Sequence, residues 1–181
     1  MISLNREKKF VDDYVVFDLE TTGFDPKWAK IIEIGALKYK NNELVDEFQV
    51  LVNPECEIPD VITMITGIDN ELVKNAITID KALPQFLDFI EDLPLVAHNS
   101  RFDLAFIEQN LGQLGLKVIS NTNIDTVYLA RKYISNVNNH KLETLKEYFG
   151  LTYSSHRSID DCLTTNYVYQ YCKREALVNL K

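Results

Sequence analysis

Asp18 and Glu20 stand two residues apart in Val15-Val16-Phe17-Asp18-Leu19-Glu20. On an extended segment, period-2 geometry turns both carboxylates to the same face. Two such groups repel each other and lose hydration badly unless a cation lies between them. They are therefore either a pair of oxygen ligands of the kind that Mg²⁺ and Mn²⁺ prefer, or a solvated pair at a strand end. Asp103 ends the segment Ala97-His98-Asn99-Ser100-Arg101-Phe102-Asp103. There it falls in a first helical turn, where a carboxylate favours the helix dipole whether or not it binds anything. His156 and Asp161 share Ser155-His156-Arg157-Ser158-Ile159-Asp160-Asp161. Ser158 with Asp161 three residues later fits a capping box, which would make Asp161 a helix-start residue. The other reading turns Asp161 inward as a metal ligand and makes the loop histidine, His156, a general base. Asp160 is then the solvated neighbour.

These side chains need a scaffold that carries residues far apart in sequence to one place. Tyr14–Leu19 is a short apolar run of β-formers and reads as a buried strand. Strands at Ile31–Tyr39 and Leu44–Val52 flank Asn41-Asn42, which predicts an antiparallel hairpin. Short helical pieces follow at Asp60–Met64 and Asn70–Asn75, then a helix at Ile79–Glu91 with Pro84 near its start. Leu93–His98 reads as a strand, Phe102–Leu114 as a helix stopped by Gly115, and Val118–Ile124 as the region of a fifth strand. Helices at Asp125–Tyr133, Leu142–Phe149 and Ser158–Glu175 complete the chain. The expectation is an α/β fold whose mixed five-stranded sheet, antiparallel in its first three strands, carries helices on both faces. One domain over 14–175 is expected, with a lead-in at 1–13 and a tail at 176–181.

The 181 residues suffice for one domain with a real core. No apolar run approaches the roughly 20 residues of a membrane span. The polar start, Met1 to Lys9, shows no secretory signal, so a cytoplasmic location is expected. Cys56, Cys162 and Cys172 form neither a C-x-x-C pair nor a Cys/His cluster, which argues against structural zinc. The net charge of −8 argues against a protein that coats nucleic acid, because phosphate binding needs Lys and Arg. It does not exclude an enzyme that holds a few nucleotides at a metal site.

Taken together, Asp18-x-Glu20, Asp103, and His156 with Asp161 resemble the DEDD exonuclease superfamily, and the histidine five residues before the last Asp marks its DEDDh branch. The segments Val16-Phe17-Asp18-Leu19-Glu20-Thr21-Thr22-Gly23, Ile31-Ile32-Glu33-Ile34-Gly35-Ala36 and Ala97–Asp103 are similar to that family's motifs, as are Thr66-Gly67-Ile68 and Asp125-Thr126. The resemblance is closest to proofreading exonucleases of bacterial DNA polymerase III, of both the epsilon-type and the PolC-type. It implies an RNase H-like fold and 3′→5′ removal of nucleotides from single-stranded ends, with DNA favoured over RNA and a DNA polymerase as a candidate partner. It implies that Asp18, Glu20, Asp103 and Asp161 hold two Mg²⁺ or Mn²⁺ ions and that His156 deprotonates the attacking water. Thr21, Thr22 and Gly23 would line the pocket for the terminal 3′-hydroxyl, and Asn99 and Phe102 would touch the terminal nucleotide; Phe102 is equally a core candidate. One departure is Thr66, which stands where the epsilon-type subunits have a histidine.

Among the other candidates, His98 reads as a satisfied histidine at a strand end and His140 as a surface residue. Trp28, between Lys27 and Lys30, is either a base-stacking residue or a loop residue packed on the hairpin. Tyr128, Tyr133, Tyr167 and Tyr171 sit at helical spacing and read as core or half-core.

Overall fold

A computed structural model describes residues 10–178; positions 1–9 of the expected lead-in and 179–181 of the expected tail lie outside them. The central strand, β1 (Tyr14–Thr21), is buried along almost its whole length. Its alternation feeds two cores. Val15, Phe17 and Leu19 enter one apolar cluster, Tyr14 and Val16 the other. Asp18 and Glu20 continue the Tyr14–Val16 face by the same period.

β1 pairs antiparallel with β2 (Ile31–Lys40), which pairs antiparallel with β3 (Glu43–Asn53). The connecting Asn41 and Asn42 both have positive φ, 51° and 63°. That is the backbone of a tight primed turn, which asparagine tolerates better than most residues. Two short helices follow, α1 (Asp60–Thr66) and α2 (Asn70–Val73). Next come β4 (Ile77–Thr78), α3 (Ile79–Ile90), β5 (Leu95–Ala97) and α4 (Arg101–Leu114). The chain ends with β6 (Asn123–Asp125), α5 (Thr126–Tyr133), α6 (Leu142–Tyr148) and α7 (Ser158–Val178).

The sheet order is β4-β3-β2-β1-β5-β6, with β5 parallel to β1 and β6 parallel to β5. The mixed sheet and its antiparallel first three strands are as expected, but among the described residues the sheet has six strands rather than five. The addition is β4, two residues parallel to β3 through Val52–Ile77 and Asn53–Thr78; so short a strand carries no readable period. The strand expected at Leu93–His98 narrows to β5, and the one near Val118–Ile124 shifts to β6. α3 and α4 cover one face of β1 with Leu83, Phe86, Phe106 and Leu111. α5, α6 and α7 cover the other with Leu129, Leu145, Val168 and Tyr169. Pro84 lies in the second turn of α3, whose apolar face is buried through Ala82, Leu83, Phe86 and Ile90.

One helix end moves. α7 runs to Val178, past the end expected at 175. Within the lead-in, the Val11 amide donates to the Tyr169 hydroxyl at 2.8 Å, and Phe10 packs on Tyr133 and Tyr169. Among the described residues no helix is long and apolar enough to cross a membrane.

Candidate active site

The end of β1 and the first turns of α4 and α7 meet in one pocket of about 240 Å³. It is lined by Asp18, Glu20, Asp103, His156 and Asp161, the five residues singled out by type and spacing. Asp103, buried in the first turn of α4, accepts from the Leu19 amide at 3.2 Å, which ties the helix to the strand beside the acidic pair. A register shift between Glu20 and Thr21 interrupts the β1–β2 ladder; such irregularities re-aim side chains at strand ends.

The carboxylates are electrostatically unfavourable as they stand. Burial, reinforced by Asp103, Glu20 and Asp161, holds the Asp18 carboxyl well above its ordinary range. Burial, then Asp161 and Glu33, push Glu20 up to about 8. Asp103 also rises to about 8 through burial, against the lowering effect of backbone N–H groups. Asp161 rises to about 6, again through burial, while the His156 amide opposes the rise. Four oxygen-rich groups that cannot all ionise in isolation are relieved by a divalent cation among them. Ligand atoms of Glu20, His156 and Asp161 lie within 4.8 Å of one another. The donor set therefore suits a hard divalent ion.

His156 has φ of +58°, a conformation that non-glycine residues rarely adopt. It is held by its amide, which donates to Asp161 Oδ2 at 2.9 Å, and by its ring Nε2, 2.9 Å from Glu143 Oε1. The capping box does not form. The Ser158 hydroxyl is buried without a partner, and the Asp161 amide bonds the Arg157 carbonyl. Instead, Glu33 of β2 accepts from the Ser158 amide at 3.0 Å, from Gln49 at 3.0 Å and from Arg157 at 3.4 Å. Its side chain is wholly buried. Gly35 lets the helix come this close: a Cβ there would lie 2.4 Å from Ser158 Oγ and 2.8 Å from its backbone carbon.

Glu33, Gly35 and Glu143 were not identified as site-building residues from sequence. Glu33 and Gly35 lie in the motif-like segment Ile31–Ala36, which was their available signal; no local pattern marks Glu143.

Of the expected nucleotide contacts, Thr21, Gly23, Asn99 and Phe102 line the pocket, and Phe102 also packs its ring on Phe106 at 5.0 Å. Thr22 does not line it: its hydroxyl accepts from the Lys30 amide and it borders a neighbouring cleft with Phe24 and Trp28. Thr66 lines the pocket, but its hydroxyl is engaged by the Ile62 carbonyl and the Ile68 amide. His98 is satisfied at the strand end, between Thr126 Oγ1 at 2.8 Å and the His140 carbonyl at 2.9 Å. His140 is half-buried rather than superficial, its Nε2 on the Ile134 carbonyl. Trp28 is 82% exposed, so it does not pack on the hairpin. Tyr128 is half exposed, whereas Tyr167 and Tyr171 pack on Phe149.

The exonuclease family profile, RNase_T, matches residues 15–169. The chain is 43% identical over 166 residues to the PolC-type DNA polymerase III of Clostridium perfringens, covering 91% of this chain and 11% of that relative. It is likewise 43% identical over 164 residues to the PolC-type polymerase of Caldanaerobacter subterraneus, covering 90% of this chain and 12% of the relative. It thus spans about a tenth of the length of these curated relatives. Its structure is similar to Exonuclease X in complex with 5′ overhanging duplex DNA, with TM-score 0.72, 21% identity, and coverage of 90% of this chain and 93% of the other. It is also similar to E. coli Exonuclease I in complex with a dT13 oligonucleotide, with TM-score 0.81, 15% identity, and coverage of 94% and 43%. With a profile match across nearly the whole described domain and the RNase H-like architecture of these nucleases, the chain belongs to the exonuclease family.

Proposed function

We propose that this domain removes nucleotides from the 3′ end of single-stranded DNA as nucleoside 5′-monophosphates, in proofreading or end trimming beside a DNA polymerase. The observation that carries the reading is the convergence of Asp18, Glu20, Asp103, Asp161 and His156 on one pocket. Identity to PolC-type polymerases supports the DNA substrate, the polymerase partner and a cytoplasmic setting. On this reading the catalytic unit spans 14–175, between a lead-in and a short tail.

Asp18, Glu20, Asp103 and Asp161 would hold two divalent ions, Mg²⁺ or Mn²⁺. Bound there, such ions stabilise the attacking and leaving oxygens of an in-line displacement. His156 takes the proton of the attacking water. The Glu143 carboxylate is an acceptor, so it holds the proton on His156 Nε2 and leaves Nδ1 as the basic nitrogen. Thr21, Gly23, Asn99 and Phe102 position the terminal nucleotide; Thr22 serves the turn that shapes this wall.

The test is cleavage of a 5′-labelled single strand with Mg²⁺, with Mn²⁺ and with EDTA, in matched DNA and RNA forms. A metal-dependent ladder that shortens from the 3′ end, faster on DNA, is expected. Much faster cleavage of RNA would reassign the substrate, and no cleavage by folded protein would overturn the reading.

A further inference from the structure

The connection from α6 to α7 delivers His156 to the pocket, and it does so without burying anything. Gly150, at φ of +65°, reverses the chain after α6, and the Leu151 amide donates to the Lys146 carbonyl at 3.0 Å. None of the residues 151–157 that follow is buried. With no buried side chain to anchor the segment, polar contacts decide where it lies.

One face of α6 supplies those contacts on one side. The Lys146 ammonium donates to the Tyr153 carbonyl at 3.0 Å and to the Ser155 hydroxyl. Three residues earlier on the same face, Glu143 Oε1 lies 2.9 Å from His156 Nε2. Later residues of the segment meet earlier residues of α6, so the chain returns antiparallel along the helix. On its other side, the Ser154 amide donates to Asp160 Oδ2 at 3.2 Å and the His156 amide to Asp161 Oδ2 at 2.9 Å. α6 is itself well seated: Leu145 is wholly buried, and Phe149 just beyond it packs on Tyr167 and Tyr171 of α7. Lys146, beside Leu145, is half-buried and does not line the pocket.

We propose that Lys146 is a positioning residue for the proton transfer: it holds the returning segment on α6 so that His156 stays between Glu143 and the pocket. The proposal rests on the nuclease reading above and gives a residue outside the pocket control over the base within it. An ammonium has three donors and no acceptor, so Lys146 can hold two oxygens of the segment at once. Without it, the Tyr153 carbonyl and the Ser155 hydroxyl lose their partner on α6, while the contacts to Asp160, Asp161 and Glu143 remain. His156 then samples more orientations. A displaced base slows the chemical step and leaves substrate binding unchanged.

Lys146→Met keeps the length of the side chain and removes its donors. On a 5′-labelled single strand in Mg²⁺, it is expected to lower kcat by about 10–100-fold, with KM and melting temperature near wild type. Lys146→Arg restores donors and should recover most of kcat. The decisive comparison is Lys146→Met/His156→Ala, which should be no slower than His156→Ala alone, because a residue that acts through the base then has nothing left to position. Amide hydrogen exchange across 151–157, read without reference to cleavage, should be faster in Lys146→Met than in wild type. An additive loss in the double variant, unchanged exchange, or a raised KM at wild-type kcat would each overturn the proposal, the last by making Lys146 a substrate contact. A wild type that does not cleave sinks the nuclease reading and this role with it. A wild type that cleaves, with Lys146→Met cleaving equally fast, sinks this role alone.

Discussion

Asp18 is held above its ordinary range by burial and by the carboxylates of Asp103, Glu20, Asp161 and Glu33. Asp18→Asn removes the charge and keeps the shape. It is expected to abolish metal-dependent cleavage while raising the stability of the metal-free protein by on the order of 1 kcal/mol, checked by denaturant titration in EDTA. Unchanged cleavage would remove Asp18 from the proposed ligand set. His156 makes the converse case. Its amide and ring are both anchored, but no apolar packing depends on it. His156→Ala is expected to lower kcat about 10²–10⁴-fold, the usual contribution of a general base, with little change in melting temperature. A loss below tenfold would assign the proton transfer to another group.

At the scale of elements, the pocket depends on how closely α7 docks against β2. Glu33 accepts from the first amide of α7, and Gly35 leaves room for Ser158. Cys162, one residue beyond Asp161, reaches the Gly35 carbonyl at 3.5 Å and the Val16 carbonyl at 3.7 Å, so the helix is seated directly on both strands. Gly35→Ala must push the helix away, because the clash involves backbone as well as side chain. The expected result is a destabilisation of about 1–3 kcal/mol with a far larger fall in kcat than in substrate affinity, since Asp161 and His156 move with the helix. Stability and kcat both near wild type would mean that α7 can shift without disturbing the pocket.

For the whole molecule, the acidic pocket links folding to pH and to divalent ions. Glu20 and Asp103, held near 8, and Asp161, near 6, keep protons in the folded state that the unfolded chain releases near 4. Their folded pKa values are raised, so the native state binds more protons than the unfolded one between about pH 4 and 8, and stability falls as pH rises through that window. Metal-free protein is expected to lose on the order of a few kcal/mol between pH 5 and 8. Mn²⁺ or Mg²⁺ should restore more at pH 8 than at pH 5, read as the shift in melting temperature with added ion. A metal-free stability that rises over this range would show that the carboxylates are not clustered as described.

Much of this was readable in the order of residues. The unbroken apolar run through Tyr14–Phe17 marks a buried strand, and Asp18 and Glu20 share one of its faces by period alone. The turn at Asn41-Asn42 and the stop at Gly115 are local backbone events, so local sequence determines them. The five chemical residues were legible because their types are costly to bury and their flanks mark the elements that carry them. What the sequence could not decide is what depends on contact between distant segments. Ser158 and Asp161 have the spacing of a capping box, yet α7 takes its N-terminal acceptor from Glu33, 125 residues earlier. Glu143 meets His156 only after α6 is packed, Thr22 turns away from the pocket to hold Lys30, and β4 exists only as a partner of β3. Periodicity specifies which face a side chain takes, because that is a property of the local backbone; which partner it meets there is set by tertiary packing, which brings together groups whose separation in sequence carries no signal.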